Sequence, residues 1–301
     1  MFSNGNRAIG QEELRLLRLE ANQPIFPEDF ADTISGSMAL REDEKNLMAA
    51  YLRRPKSKRV NYTLNRIDSP MYPALAKVAE QEWRRVTEDK DSTRPMKRPR
   101  SERSAEDVKE DLVRDADIEI IRSQRELRTC LGNAFLSCCP TLRRRGSGRP
   151  QKMVAQLPDS LSENTMVLNS KRFTRVVLYA PGKGSPMKNA IICEADPSDL
   201  IAMREKNGNA YTGFRESKAK RGDSAPARDV IGYVTIGGFS LTRGSGIGNG
   251  VVSVNSLRRL VGKGAVIPNG RRKGVETGGI IVLFRNVSSL HYRPALIRVV
   301  P

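Results

Sequence analysis

Arginine and lysine gather in four clusters, and these residues have the clearest chemistry in the chain. The first is Arg53, Arg54, Lys56, Lys58 and Arg59, with Tyr51, Asn61 and Tyr62 beside it. The second is Arg94, Lys97, Arg98, Arg100 and Arg103, and the third Arg143, Arg144, Arg145, Arg149 and Lys152. The fourth is Arg258, Arg259, Lys263, Arg271, Arg272 and Lys273. A planar guanidinium fork grips phosphate oxygens in pairs, so Arg-rich clusters suit a phosphate backbone. In the first cluster a tyrosine ring adjoins the cations, the combination that stacks and clamps unpaired RNA bases. RNA contact is therefore expected from Arg53, Arg54, Lys56, Lys58, Arg59 and Tyr62, against a plain solvated loop. The same is expected of Arg143, Arg144 and Arg145, and of the six cations in the fourth cluster. Lys97, Arg98 and Arg100 flank Pro99 in a short polar run that suits a nuclear-import signal as well as an RNA clamp.

Other chemistries find little support. His291 is the single histidine, and no serine or cysteine is set beside it as a nucleophile. Cys130, Cys138, Cys139 and Cys193 form no C-x-x-C pair, which argues against a disulfide framework and against zinc. Residues 232–250 read GYVTIGGFSLTRGSGIGNG, with Gly244, Gly246, Gly248 and Gly250 at alternate positions. That order is not the G-x-G-x-x-G of dinucleotide binding. Gly182-Lys183-Gly184 and Gly262-Lys263-Gly264 lack the Ser or Thr of a P-loop. A glycine-lined strand bend remains, in which another surface can approach the bare backbone. No catalytic residue, metal or cofactor is expected.

The whole chain agrees with a polyanionic partner. Its 301 residues hold 52 Lys+Arg against 34 Asp+Glu, a net charge of +18. Such an excess favours nucleic acid through counterion release and long-range steering. No segment approaches the ~20 apolar residues of a membrane span. The N-terminus lacks the basic-then-apolar order of a secretory signal. An intracellular, nuclear, soluble chain without a membrane partner is expected.

Helices are expected over 10–20, over 39–52, and from Pro73 to about Val86 with Trp83 on it. Ser104 and Asp107 suggest the cap of a long charged helix reaching Thr129, with Val108, Leu112, Ile118, Ile121 and Leu127 as its apolar side. Residues 87–104 read as a linker and 143–152 as a flexible basic hinge. From about Leu157 the texture changes to short β-branched runs at 174–179, 190–193, 230–235, 250–254, 280–284 and 296–300, with a short helix over 256–261. The fold class is α+β: a helical, loop-rich N-terminal half and a C-terminal antiparallel β-barrel-like domain. The expected segments are 1–40, 41–86, 87–156 and 157–301.

Three separated stretches resemble one family, that of the large Pop-one protein subunit of eukaryotic nuclear ribonuclease P and ribonuclease MRP. Phe26, Pro27, Asp29, Phe30, Asp32 and Thr33 resemble the end of its POPLD domain. RRPKSKRVNY (53–62) is similar to its basic box. The glycine run at 232–250, with Asn286 to Arg293 (NVSSLHYR), resembles its C-terminal region. The resemblance implies that residues 1–40 are the end of a POPLD-like domain, so the chain reads as a C-terminal portion. It implies an RNA-binding scaffold that supports 5′-leader removal from precursor tRNA and precursor rRNA processing, with the RNA subunit catalysing cleavage. Its implied partners are the ribonuclease P and MRP RNAs and the other protein subunits, in the nucleus and nucleolus. A free-standing basic RNA-binding or ribosome-assembly factor is the alternative. Val234, Thr235, Gly237, Gly238, Phe239 and Ser240 also resemble the C-terminal barrel of folate-dependent aminomethyltransferases. That likeness keeps a folate-dependent enzyme as a third reading, although no large folate-binding domain is recognisable.

Overall fold

The computed structural model describes residues 10–67, 69–88, 118–134, 163–182, 184–205, 211–217, 226–267, 271–272, 275–276 and 278–300. In chain order the helices are α1 (Gln11–Glu20), α2 (Ile34–Arg53), α3 (Leu75–Glu88), α4 (Gln124–Leu131), α5 (Glu163–Asn169), α6 (Pro197–Glu205) and α7 (Val254–Gly262). The first strands are β1 (Glu119–Ile121), β2 (Arg172–Ala180), β3 (Ile191–Cys193), β4 (Phe214–Arg215), β5 (Val230–Ser240) and β6 (Ser245–Ser253). After them come β7 (Val266–Ile267), β8 (Arg271–Arg272), β9 (Val275–Glu276), β10 (Gly279–Arg285) and β11 (His291–Val299).

The β-branched runs of the second half build a closed barrel. Its strand order is β2-β6-β5-β3-β10-β11, every pair is antiparallel, and β11 returns to β2. Closure gives each of these six strands two barrel neighbours, while the start of β2, Arg172–Thr174, runs past its pairing with β11 and keeps one edge open. Val176, Leu178, Ile192, Val234, Val252, Leu283 and Ile297 are buried in one core cluster, which also takes in Leu40, Val78 and Leu127 from the helices. Ser253 ends β6 and caps α7, its hydroxyl accepting the Ser256 N–H at 3.5 Å, and Leu257 and Leu260 of α7 are fully buried.

The glycine run is the β5–β6 hairpin. Its turn ends on Gly244, whose φ of 64° lies in the left-handed region. On the inner face, a Cβ at Gly246 would stand 2.6 Å from the Gly184 carbonyl and 3.0 Å from Pro186, and one at Gly248 would stand 3.0 Å from Pro186. These glycines let the 184–186 segment lie against the bare strands. Outside the barrel, Leu16 and Leu19 of α1 pack on Val177, Ile236 and Ile247.

The long charged helix is corrected over its final part. Ile118, Ile120 and Ile121 are buried, and residues 119–121 form β1, pairing in parallel with Arg172–Thr174 of β2. The Ile120 N–H donates to Asp32 Oδ2 at 3.3 Å, and α4 begins only after Ser123. The three-residue spacing of Ile118 and Ile121 fits a helix, but a free edge of β2 accepts these β-branched residues as a strand. The expected residues 104–117 of that helix lie outside the described residues, as do positions 89–104 of the linker and the hinge at 143–152. Thr33, whose hydroxyl accepts the Gly36 N–H at 3.0 Å, starts α2 five residues before the expected point.

Candidate nucleic-acid interface

The basic box sits at the C-terminal end of α2. Pro55 stops the helix, and Lys56–Lys58 form a single 3-10 turn. The last carbonyls of a helix lack intrahelical donors and carry the negative end of its dipole, so a cation there is favoured. Arg59 fills that role. Its Nε donates to the Arg54 carbonyl at 2.7 Å and its Nη2 to the Leu52 carbonyl. The same guanidinium lies 5.9 Å from the centroid of Tyr51. The rings of Tyr51 and Tyr62 are 5.3 Å apart, and the Tyr51 hydroxyl donates to the Val60 carbonyl at 2.8 Å. Burial, then its neighbour Tyr51, raises the Tyr62 phenol above its ordinary pKa. Arg53, Arg54, Lys56 and Lys58 are all exposed, with no carboxylate partner among the described residues. Of the five cations expected to clamp phosphate, one is turned inward to fold the loop and four face solvent.

The fourth cluster is divided. Arg259 on α7 donates from Nη1 and Nη2 to the two oxygens of Glu82 on α3, each at 3.0 Å, and from Nε to Glu194 Oε2 at 3.0 Å. Lys263 Nζ reaches Glu194 Oε1 at 2.5 Å. Ser256 completes the set by donating to Glu82 Oε1 at 2.9 Å. Glu82 and Glu194 are almost wholly buried. Burial works to raise the Glu194 carboxyl, but the hydrogen bonds from Lys263 and Arg259 outweigh it and hold the pKa below the ordinary value. Arg258 is half-buried, and burial lowers its pKa. Arg271 and Arg272 form β8, opposite β9. Their side chains and Lys273 lie outside the described residues, as do Arg143, Arg144, Arg145, Lys97, Arg98 and Arg100.

The chemistry of the Phe26-to-Thr33 motif was not legible from its residue types. Asp29 is fully buried; its carboxylate accepts the Ile25 N–H and the Thr235 hydroxyl, each at 3.0 Å, and lies 3.4 Å from Arg175. Burial raises its pKa despite Arg175. Asp32 takes both arms of Arg122, at 2.5 and 2.8 Å, and the Arg122 guanidinium stands 4.9 Å over Phe30. Deeper in, the wholly buried Arg285 donates to the Asn65 carbonyl at 2.6 Å and the Arg66 carbonyl at 3.3 Å, with Glu216 at 3.4 Å. Arg66 pairs with the same Glu216 at 2.7 Å. The N-terminal segment is thus clasped to the barrel by buried acid–arginine pairs. Among the described residues no His/Cys/Asp/Glu group is arranged to hold a metal, and no helix is long and apolar enough to cross a membrane.

These features define an α+β protein in which a closed six-stranded antiparallel barrel carries a helical N-terminal segment with a solvent-facing basic terminus. Residues 1–75 match the POPLD (NUC188) domain, and residues 215–301 match the POP1 C-terminal domain. Over 62 residues the chain is 42% identical to the "Ribonucleases P/MRP protein subunit pop1" of Schizosaccharomyces pombe (strain 972 / ATCC 24843). That alignment covers 21% of this chain and 9% of the relative's length. The chain belongs to the Pop1 family.

Proposed function

We propose that this chain is an RNA-binding scaffold subunit of ribonuclease P and ribonuclease MRP. In this reading it supports 5′-leader removal from precursor tRNA and the processing of precursor rRNA, and the RNA subunit performs the cleavage. Its partners are the ribonuclease P and MRP RNAs and the other protein subunits, in the nucleus and nucleolus. The observation that carries the reading is the set of four exposed cations, Arg53, Arg54, Lys56 and Lys58, on the chain segment between the paired rings of Tyr51 and Tyr62. Guanidinium and ammonium groups neutralise phosphates there, and Tyr62 offers a face to an unstacked base. Arg143, Arg144, Arg145, Arg258, Arg271, Arg272 and Lys273 extend the same role, whereas Arg259 serves it by locking α3 to α7 and Lys263 by pairing α7 with Glu194. Lys97, Arg98 and Arg100 serve nuclear import.

The test is the affinity of the purified chain for ribonuclease P RNA and for a length-matched unstructured RNA, across a salt series. Tighter binding to the folded RNA, with a steep decline in affinity as salt rises, is the expected result. Equal affinity for both RNAs would reduce the charge to a generic attraction and remove the scaffold reading.

A further inference from the structure

A second cationic site lies where the β10–β11 turn meets β4. In the pairing of β4 with β11, Arg215 stands opposite His291 and Phe214 opposite Tyr292. Side chains alternate along a strand, so Arg215, His291 and Arg293 share one face, and Phe214 and Tyr292, stacked at 4.7 Å, share the other. The cationic face forms the wall of an open cleft of about 430 Å³. Asn65, Ser288, Ser289 and Leu290 complete its lining, and among the described residues no carboxylate lines it. Glu216, next along from Arg215, is buried and paired with Arg66 and Arg285. Ser289 Oγ accepts the His291 N–H at 3.0 Å, so its own proton is left to donate. Burial first, and then Arg293 and Arg215, depress the His291 pKa below the ordinary histidine value. The cleft is therefore a place of positive potential. It is also tied to the basic box, because Asn65 belongs to the turn in which its N–H donates to the Asn61 and Tyr62 carbonyls at 3.2 and 3.1 Å.

We propose that this cleft binds a backbone phosphate of RNA, with Arg215 and Arg293 as its cationic arms and the Ser289 hydroxyl and His291 ring N–H as donors. The proposal rests on the RNA-binding reading above and adds a second anchoring point to it. Arg215 and Arg293 hold positive charge beside the His291 ring, and a bound anion offsets that charge. Strand pairing fixes the spacing of Arg215 and His291, so the site is formed before the ligand arrives.

His291 is the chain's single histidine, so its imidazole gives one assignable set of NMR signals. The full chain is titrated over pH alone, with a short single-stranded oligoribonucleotide, and with inorganic phosphate. Oligonucleotide affinity is measured in parallel by fluorescence anisotropy for the unaltered chain, Arg215→Ala and Arg293→Ala. Arg215 is exposed, so its replacement leaves the fold intact even if that of Arg293 does not. The expected result is an upward move of the His291 pKa by about one pH unit when the oligonucleotide binds, as an anion within ~4–6 Å favours the charged ring. Arg215→Ala should weaken oligonucleotide binding severalfold and abolish that move. Tight oligonucleotide binding with an unresponsive His291 and an unaffected Arg215→Ala would overturn the cleft and leave RNA binding standing. A chain that binds no RNA would remove both. A His291 response to inorganic phosphate as strong as that to the oligonucleotide would make the site a free-phosphate site and overturn its assignment to RNA.

Discussion

Arg259 and Glu82, 177 residues apart in the chain, meet in a two-point ion pair with both N–O distances at 3.0 Å. The carboxylate is 1% exposed, so among the described residues its solvation comes from Arg259, Ser256 and Arg85. Removing one partner leaves the other charge buried and unpaired, which is far costlier than losing a surface pair. Arg259→Ala should therefore destabilise the chain by about 3 kcal/mol. Urea unfolding measures this. A change below ~1 kcal/mol, the range of an exposed pair, would mean that α3 is not held by this pair.

The neighbouring carboxylate carries a pH signature. The folded-state pKa of Glu194 lies below its unfolded value, so the folded chain binds fewer protons than the unfolded chain in the interval between them. Its stabilisation is complete above the unfolded value of about 4.5 and is lost as pH falls through the depressed folded value. Glu194→Gln should flatten the acid limb of a stability-versus-pH curve while leaving the neutral region parallel to the original. An unchanged acid limb would count against the Lys263 and Arg259 contacts.

Glycine substitutions in the hairpin should separate close approach from backbone strain. At Gly246 a Cβ meets backbone at 2.6 and 2.8 Å, which cannot yield locally, so Gly246→Ala should cost about 1–3 kcal/mol by overpacking. At Gly238 the neighbour is the flexible end of Leu16 at 2.8 Å, and Gly238→Ala should cost less. Gly244 has open space but φ of 64°, so alanine there should cost about 1–2 kcal/mol through strain alone. Thermal unfolding of the three variants gives the order. Equal destabilisation by all three would show that Pro186 does not rest on the glycine face.

Within the basic box, cations of the same type should behave differently. Replacing Arg53, Arg54, Lys56 and Lys58 by alanine removes exposed charges, which should leave stability within roughly 0.5 kcal/mol per site. RNA affinity should fall, and the salt slope should drop by about 0.7–0.9 for each phosphate no longer neutralised. Arg59→Ala should instead loosen the end of α2, where its guanidinium holds the Leu52 and Arg54 carbonyls. Hydrogen exchange at the amides of residues 50–54 reads that loosening. An Arg59→Ala chain with native protection there and reduced RNA affinity would place Arg59 among the groups that grip phosphate.

Much of the barrel is legible in the sequence because strand formation is largely local. The β-branched runs around Val176, Ile192, Val234, Val252, Ile281 and Ile297 mark the six strands, and the alternating glycines mark a place stripped of side chains. Helix ends are legible for the same reason, as with the proline that stops α2. The run at Ile118 to Ile121 misleads because its spacing satisfies a helix. Its conformation is decided by the exposed edge of β2, which lies about fifty residues further along.

Sequence by itself determined the charge, the apolar runs that become strands, and the clustering of cations beside Tyr51 and Tyr62. Tertiary structure alone decided which cations are available. Arg59 is taken by helix carbonyls, Arg259 and Lys263 by Glu82 and Glu194, and Arg285 by carbonyls and Glu216, while Arg53, Arg54, Lys56 and Lys58 stay in solvent. The cleft formed by Asn65, Arg215 and Arg293 likewise exists only once β4 pairs with β11. The reason is electrostatic. A cation's availability depends on which carboxylates lie within a few ångströms and how far burial removes water, and neither is fixed by neighbours along the chain.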